Sequence, residues 1–157
     1  MPAKATTESA TVAARRRAMA AIAEATVEEM IEALDPIEAA HGAIDLRRPE
    51  AGLVMLRGRI GGDGNAFNLG EASVARASVR IAGGEIGHAY VLGRDIAKAR
   101  LAAIADALWQ AEATRPLIEQ TIVAPVETRL AAAANRKASQ VAATKVDFFT
   151  LVRGEDA

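Results

Sequence analysis

Four arginines in the central third of the chain are the residues whose type and spacing best suit binding chemistry: Arg57, Arg59, Arg76 and Arg80. They fall in two strand-like runs, two residues apart in the first and four apart in the second. Alternate residues of a strand point to the same face, so we predict that the four side chains share one face of a sheet. A guanidinium offers a planar fork of N–H donors that matches carboxylate and phosphate oxygens.

Three interpretations of this cationic face are open from the residues alone. Like charges on neighbouring strands destabilise a sheet by up to about 1 kcal/mol per pair, so something must offset the repulsion. Water, an acidic surface of a partner protein and an anionic ligand would each do so. Arg94, at a predicted turn from strand to helix, is a fifth arginine that could bind an anion.

A glycine-rich segment over residues 61–70, GGDGNAFNLG, is the second candidate for anion binding. Its backbone N–H groups could cradle a phosphate. The segment lacks the lysine and the Ser/Thr that end a P-loop, and it connects two predicted strands instead of opening a helix. These departures favour a plain loop over a phosphate site.

No set of residues predicts catalysis or metal binding by this chain. A nucleophile, a base and an orienting group do not occur at a recognisable spacing, so we assign no catalytic residue. The absence of cysteine excludes disulfides, thiolate catalysis, and cysteine-ligated zinc or iron–sulfur clusters. The two histidines are isolated in the sequence; we predict that His41 is a solvated loop residue and that His88 packs within the sheet.

The composition argues against nucleic acid and membranes as partners. The 157 residues carry a formal net charge of -1, so no basic field attracts polyanions. Arginines 15 to 17 followed by alanines imitate a secretory signal, but the apolar run is short and contains Glu24. No stretch is long and apolar enough to span a bilayer. We therefore predict a cytoplasmic protein.

Three strand-like runs between Gly52 and Asp95 predict an antiparallel β-meander. The Gly83-Gly84 pair predicts a tight hairpin turn between the second and third strands, since glycine accepts a positive φ. One face of the meander is expected to be apolar and covered by helices. Its residues are Val54, Leu56, Ile60, Ala75, Ala77, Val79 and Ile81.

Two helices are predicted before the sheet. Residues 1–10 are interpreted as a disordered tail, and a helix over residues 11–25 follows. A second helix over residues 26–34 begins with the capping box Thr26-x-x-Glu29. The acidity of this second helix argues against a DNA-binding helix-turn-helix.

The helices after the sheet complete the predicted fold. Asp95 is the predicted N-cap of a helix to about residue 113, with Asp106 and Gln110 on the side opposite its apolar stripe. That stripe consists of Ala97, Leu101, Ile104, Ala105 and Leu108. One short helical turn is predicted within residues 115–125, and Pro125 is expected to end it before a last helix over residues 126–144.

Together these elements predict an α+β fold in a single domain over residues 11–157. An antiparallel β-meander of three to four strands is packed on one face by helices, and an N-terminal helical pair precedes it. The fourth strand would be residues 145–154, KVDFFTLVRG, an extended run that is apolar on both faces. The alternative for this run is a contact with another subunit through Phe148, Phe149 and Leu151, since aromatic anchors contribute most at interfaces.

Several unusual strings taken together resemble one known family. The runs GLVMLRGRIGGDGNAFNLGEASVARASVRI and GHAYVLGRD, the segment IVAPVETR and the closing KVDFFTLVRGED are similar, in order, to the PhnG family. Its members are the G subunits of the bacterial carbon-phosphorus (C-P) lyase core complex. The resemblance leaves out roughly the first ten residues, and the helices here are richer in alanine than the family pattern.

The resemblance implies an accessory subunit of an enzyme complex in phosphonate metabolism. In that family the G, H, I and J subunits form a soluble complex with two copies of each. With an ATP-binding-cassette-type L subunit, G, H and I replace the purine of ATP by a phosphonate and so act as a ribose 1-phosphonate 5-triphosphate synthase. The J subunit cleaves the carbon-phosphorus bond with an iron–sulfur cluster and S-adenosylmethionine, and no cofactor is expected in this chain.

Two functional hypotheses follow from the resemblance. In the first, the chain docks chiefly on the I subunit (PhnI), beside PhnH and PhnJ and with PhnL needed for activity. Its arginine face would then meet acidic partner residues or the polyanionic substrate. In the second, the chain itself binds the nucleotide triphosphate or phosphonate through residues 61–70 and the arginine face.

Overall fold

A computed structural model describes residues 3–60 and 64–144 and shows a three-stranded antiparallel sheet in the order β1-β2-β3. The strands are β1 (Ile44–Gly58), β2 (Phe67–Arg80) and β3 (Ile86–Leu92). The helices are α1 (Ala3–Glu24), α2 (Val27–Leu34), α3 (Glu38–His41), α4 (Ile96–Gln110), α5 (Arg115–Ile118) and α6 (Ala124–Ala143), with a π-helical segment (Glu119–Val123) between the last two. The predicted α+β class is confirmed. The proposed fourth strand lies outside the described residues.

The turn between β2 and β3 forms at the glycine pair, as predicted. Gly84 has a φ of 98°, in a region that glycine adopts without strain. Its N–H donates to the Ile81 carbonyl at 2.9 Å, and the Ile81 N–H donates to the Glu85 carbonyl at 3.1 Å. The turn sets the register in which residues 74–80 of β2 pair with β3.

The core lies between the sheet and α4. The buried sheet residues on the face towards α4 are Ala75, Ala77, Val79, Ala89 and Val91. A Cβ added at Gly87 would overlap the Ala103 carbonyl oxygen and would lie 2.6 Å from the Ala107 nitrogen. Helix and strand therefore approach each other so closely at Gly87 that no side chain fits between them.

The N-terminal helical pair is present, with one boundary different from the prediction. The capping box is confirmed, since the Glu29 N–H donates to Thr26 Oγ1 at 3.1 Å and the Thr26 N–H donates to Glu29 Oε2 at 2.7 Å. α1 begins at Ala3, so residues 3–10, which the sequence placed in a tail, belong to this helix. These residues include alanine, lysine and glutamate, which favour a helix as strongly as the residues that follow.

Asp106 lies in the core, although the sequence placed it on the exposed side of α4. It is 1% exposed. Its carboxylate accepts hydrogen bonds from Arg15 Nε at 3.0 Å, from Arg15 Nη2 at 2.7 Å and from the His88 N–H at 2.9 Å. The hydrogen bond to Asp106 raises the pKa of Arg15, and burial opposes that shift. Asp106 thus links α1, β3 and α4, which the apolar stripe alone could not reveal.

Pro125 does not break the helix, contrary to the prediction. The chain is helical from Arg115 to Ala143 without interruption. Directly before the proline, the Ala124 N–H donates to the Glu119 carbonyl, five residues back instead of four. This wider π turn gives the proline ring room against the preceding turn of the helix. It also needs no N–H donor at Pro125, which has none.

The chain falls into two compact units, Met1–Glu127 and Thr128–Ala157. In the first unit, Glu119 accepts hydrogen bonds from Arg17 Nη2 at 2.6 Å and from Trp109 Nε1 at 2.7 Å. In the second unit, the described residues 128–144 are helical as far as Ala143 and their side chains are exposed. The single domain predicted over residues 11–157 stays a prediction, because compactness alone does not define a unit that folds independently.

Candidate functional site

The sheet extends past its helix-covered part as a two-stranded ribbon. β3 pairs with residues 74–80 of β2, whereas β1 pairs with β2 as far as Gly58 and Phe67. We call residues 53–58 and 67–73 the hairpin arm. Within the described parts of the chain, no third strand pairs with the hairpin arm.

Both faces of the hairpin arm are apolar and exposed. Directly paired residues of antiparallel strands lie on the same face. Ala51 pairs with the buried Ala75, so Leu53 and Met55 continue the helix-covered face, and Val54 and Leu56 lie on the opposite, outer face. The exposed fractions are 62% for Leu53, 60% for Met55, 36% for Val54 and 44% for Leu56. Helices were predicted to cover Val54 and Leu56; that prediction is wrong.

The four predicted arginines do not share one face. Pairing is regular from Glu50, opposite Arg76, to Leu56, so Leu56 lies on the face of Arg76. The register shifts by one residue of β2 between Leu56 and Arg57, and alternation along β1 itself places Arg57 on the other face. Alternation within one strand shows which of its own residues share a face. It does not show how the faces of two strands match, because that depends on their register.

Arg59 lies beyond the end of β1, next to the glycine-rich segment. Its Nη1 donates to the Gly64 carbonyl at 3.2 Å. Residues 61–63 of the segment 61–70 lie outside the described residues, as do Phe148, Phe149 and Leu151. The proposed roles of these residues stay predictions.

Arg76 is part of a polar cluster on the outer face of the sheet. Its Nε donates to Glu50 Oε1 at 2.8 Å, and the hydrogen bonds that the guanidinium donates to the Tyr90 hydroxyl and to Glu50 raise its pKa. In the next row across the strands, Ser78 Oγ and His88 Nδ1 are 2.9 Å apart. His88 is therefore an exposed residue in a hydrogen bond, and Glu50 offsets the charge of Arg76. Glu50 was not predicted from the sequence, since only the register of β1 and β2 brings it opposite Arg76.

Arg80 and Arg94 lie at different places on the sheet. Arg80 is on the same outer face as Arg76, in a row with the exposed Ile44 and Ile86. Arg94 lines a depression of about 280 Å³ at the base of the hairpin arm, together with Leu53 and other residues of both strands. The predicted helix start beside it is confirmed, because Asp95 Oδ1 accepts a hydrogen bond from the Lys98 N–H at 2.9 Å.

The described residues contain no group of three histidine, aspartate or glutamate side chains that could hold a metal ion. None of the helices in the described ranges is long and apolar enough to cross a membrane. The features that stand out are thus the apolar hairpin arm and the arginines near it.

Fold and surface together define an α+β protein whose sheet is covered by its own helices along one part and open along another. The family model described as "Phosphonate metabolism protein PhnG" matches residues 13–154, so the chain belongs to that family. A relative from Rhizobium meliloti (strain 1021), the alpha-D-ribose 1-methylphosphonate 5-triphosphate synthase subunit PhnG, is 52% identical over 156 residues. The match covers 99% of each of the two chains. The resemblance noted in the sequence is confirmed.

Proposed function

We propose that this chain is an accessory subunit of a ribose 1-phosphonate 5-triphosphate synthase that acts in the breakdown of organophosphonates in the bacterial cytoplasm. The main support is the 52% identity, over 99% of both chains, with a protein named as a subunit of such a synthase. The exposed apolar side chains of the hairpin arm add support, because large exposed apolar patches mark protein–protein interaction sites.

The proposed reaction exchanges the purine of ATP for a phosphonate. A phosphonate oxygen attacks C1′ of the ribose, the bond from C1′ to the purine nitrogen breaks, and adenine leaves with the bonding electron pair. The triphosphate stays on C5′. In this proposal the catalytic side chains belong to other subunits, and this chain supplies none.

The partners in this proposal are the other subunits of the C-P lyase system. The chain docks chiefly on PhnI, in a core complex with two copies each of the G, H, I and J subunits, and PhnL is needed for activity. ATP is a substrate of the complex, and the iron–sulfur cluster and S-adenosylmethionine belong to PhnJ. In this proposal Arg57, Arg59 and Arg94, which lie on or beside the hairpin arm, meet acidic residues of a partner.

Formation of the ribose 1-phosphonate 5-triphosphate tests the proposal. PhnI, PhnH and PhnL would be incubated with ATP and methylphosphonate, with and without this chain, and this product would be measured by chromatography, because hydrolysis of ATP would also release adenine. We expect the product only when the chain is present, and none from the chain alone. Product formation by the chain alone would contradict the accessory role, and equal formation with and without it would remove the chain from the reaction.

Direct binding of the nucleotide by this chain is the competing hypothesis. Calorimetric titration of ATP into the isolated chain separates the two, since an accessory subunit gives little heat. A saturable signal that disappears after substitution within residues 61–70 would favour the competing hypothesis.

A further inference from the structure

The hairpin arm is a two-stranded ribbon with exposed apolar side chains on both faces, which is unusual for a protein that acts alone. A two-stranded ribbon is marginally stable in water unless a third strand or another element packs on it. In this chain the helices cover the sheet beside β3, and the large side chains of the hairpin arm stay exposed on both faces. Phe67 and Leu69, at 39% and 62% exposure, extend the apolar surface along the second strand.

We propose that the hairpin arm inserts into an apolar cleft of another subunit, with one wall of the cleft against Leu53 and Met55 and the other against Val54 and Leu56. This inference rests on the proposed function, and it names the surface through which the accessory subunit is held. Burial of apolar area is the main driving force of association, and here both faces supply it.

The charge around the hairpin arm indicates the charge of the cleft at its two ends. Arg94 lies at the base of the arm beside Leu53, and Arg57 and Arg59 lie near its tip. Glu71 is the one acidic residue among the described residues of the arm. A cleft with apolar walls and acidic residues at its entrance and at its far end complements this arrangement, because charges at the rim of an interface steer partners and set their orientation.

A second copy of this chain fits the hairpin arm less well. Two arms packed face to face would each keep one apolar face in water. They would also bring arginines of like charge together at the rim. Insertion into a cleft of a different polypeptide buries both faces and pairs the arginines with opposite charge.

Two variants, one on each face, test the insertion. Leu53→Glu places a charge on the helix-side face, and Leu56→Glu places one on the outer face. Ile31→Glu is the matched control, because Ile31 is a large apolar residue on α2 that is 51% exposed and lies outside the arm. Each variant of the full chain would be co-expressed with PhnI, PhnH and PhnJ, and its affinity for them measured after purification.

Both arm variants are expected to weaken assembly by roughly tenfold or more, because a carboxylate would be buried at the centre of an interface. The control is expected to stay within about twofold of the unaltered chain. Loss of assembly in one arm variant only would show that the arm lies flat on a partner, and it would overturn the insertion. Normal assembly of both variants would remove the arm from the interface.

Two further measurements keep the outcomes distinct. If the unaltered chain does not assemble with the other subunits, the proposed function is wrong, and the role of the arm is wrong with it. The melting temperature and the oligomeric state of each isolated variant, measured by light scattering, should equal those of the unaltered chain. A lower melting temperature would show that this chain covers its own arm, and loss of a dimer would identify a second copy as the occupant; either result would overturn the proposal.

Discussion

The helix-covered part of the sheet and the hairpin arm share strand β2 but are built from different residues of it. Where β2 faces α4, the buried side chains are small: Ala75, Ala77 and Val79. α4 meets them with its own buried alanines, and Gly87 on β3 allows the backbones to approach closely. In the hairpin arm, the leucine, methionine and phenylalanine side chains are exposed instead.

This difference shows which apolar side chains are buried within the chain and which are left exposed. Small residues let two elements approach closely, but each buries little area. Large side chains in water stabilise nothing until another surface covers them. The covered part of the sheet therefore holds the fold together, and the hairpin arm carries the area available for association.

Adding one methyl group at Gly87 should give the largest difference between the two regions. In Gly87→Ala, the new Cβ would overlap the Ala103 carbonyl oxygen, and overpacking of this severity costs about 3 kcal/mol or more. Gly52→Ala at the base of the hairpin arm is the control, since a Cβ there meets nothing within 4 Å. Urea unfolding would measure both, and comparable losses at the two positions would contradict the close packing at Gly87.

Removing the charge of Asp106 should have the next largest effect. Asp106→Asn keeps the shape but weakens the pair of hydrogen bonds from Arg15, and hydrogen bonds to charged groups contribute about 1.5–3 kcal/mol. We expect a loss of about 2 kcal/mol in the free energy of unfolding. Glu71→Gln, on the exposed arm, should change it by less than about 0.5 kcal/mol. An equally small effect at both carboxylates would show that Asp106 does not anchor α1.

Truncating a valine in each region should also affect the stability of the two regions differently. Val79→Ala removes two buried methyl groups from the core, and we expect a loss of about 2 kcal/mol. Val54→Ala, on the arm, should stay within about 0.5 kcal/mol in the isolated chain. When affinity for the other subunits is measured instead, Val54→Ala should have the larger effect of the two variants. A loss of about 2 kcal/mol from Val54→Ala in the isolated chain would contradict the exposure of the arm.

Local signals predicted those parts of the structure that depend on neighbours in the sequence. The Thr26 capping box, the Asp95 cap and the turn at Gly84 each need only a few adjacent residues, and each is present. The alternation of Ala75, Ala77 and Val79 correctly gave the buried face of β2.

The candidate site was harder to predict, because it depends on contacts between distant residues. The register between β1 and β2 separates Arg57 from Arg76 and brings Glu50 opposite Arg76. Asp106 is buried because α1 packs on that side of α4, which periodicity within α4 does not reveal. The free edge of β2 in the arm follows from the length of β3, since the pairing of β2 with β3 ends at Val74 and Leu92.

Hydrogen exchange of backbone amides, compared between the isolated chain and the assembled complex, shows whether another polypeptide covers the hairpin arm. We expect amides of the hairpin arm to exchange quickly in the isolated chain and slowly in the complex, because an uncovered ribbon opens locally. Amides of residues 74–80, paired on both sides by β1 and β3, should be protected in both states. Arm amides that exchange equally fast before and after assembly would contradict the claim that another polypeptide covers this part of the sheet.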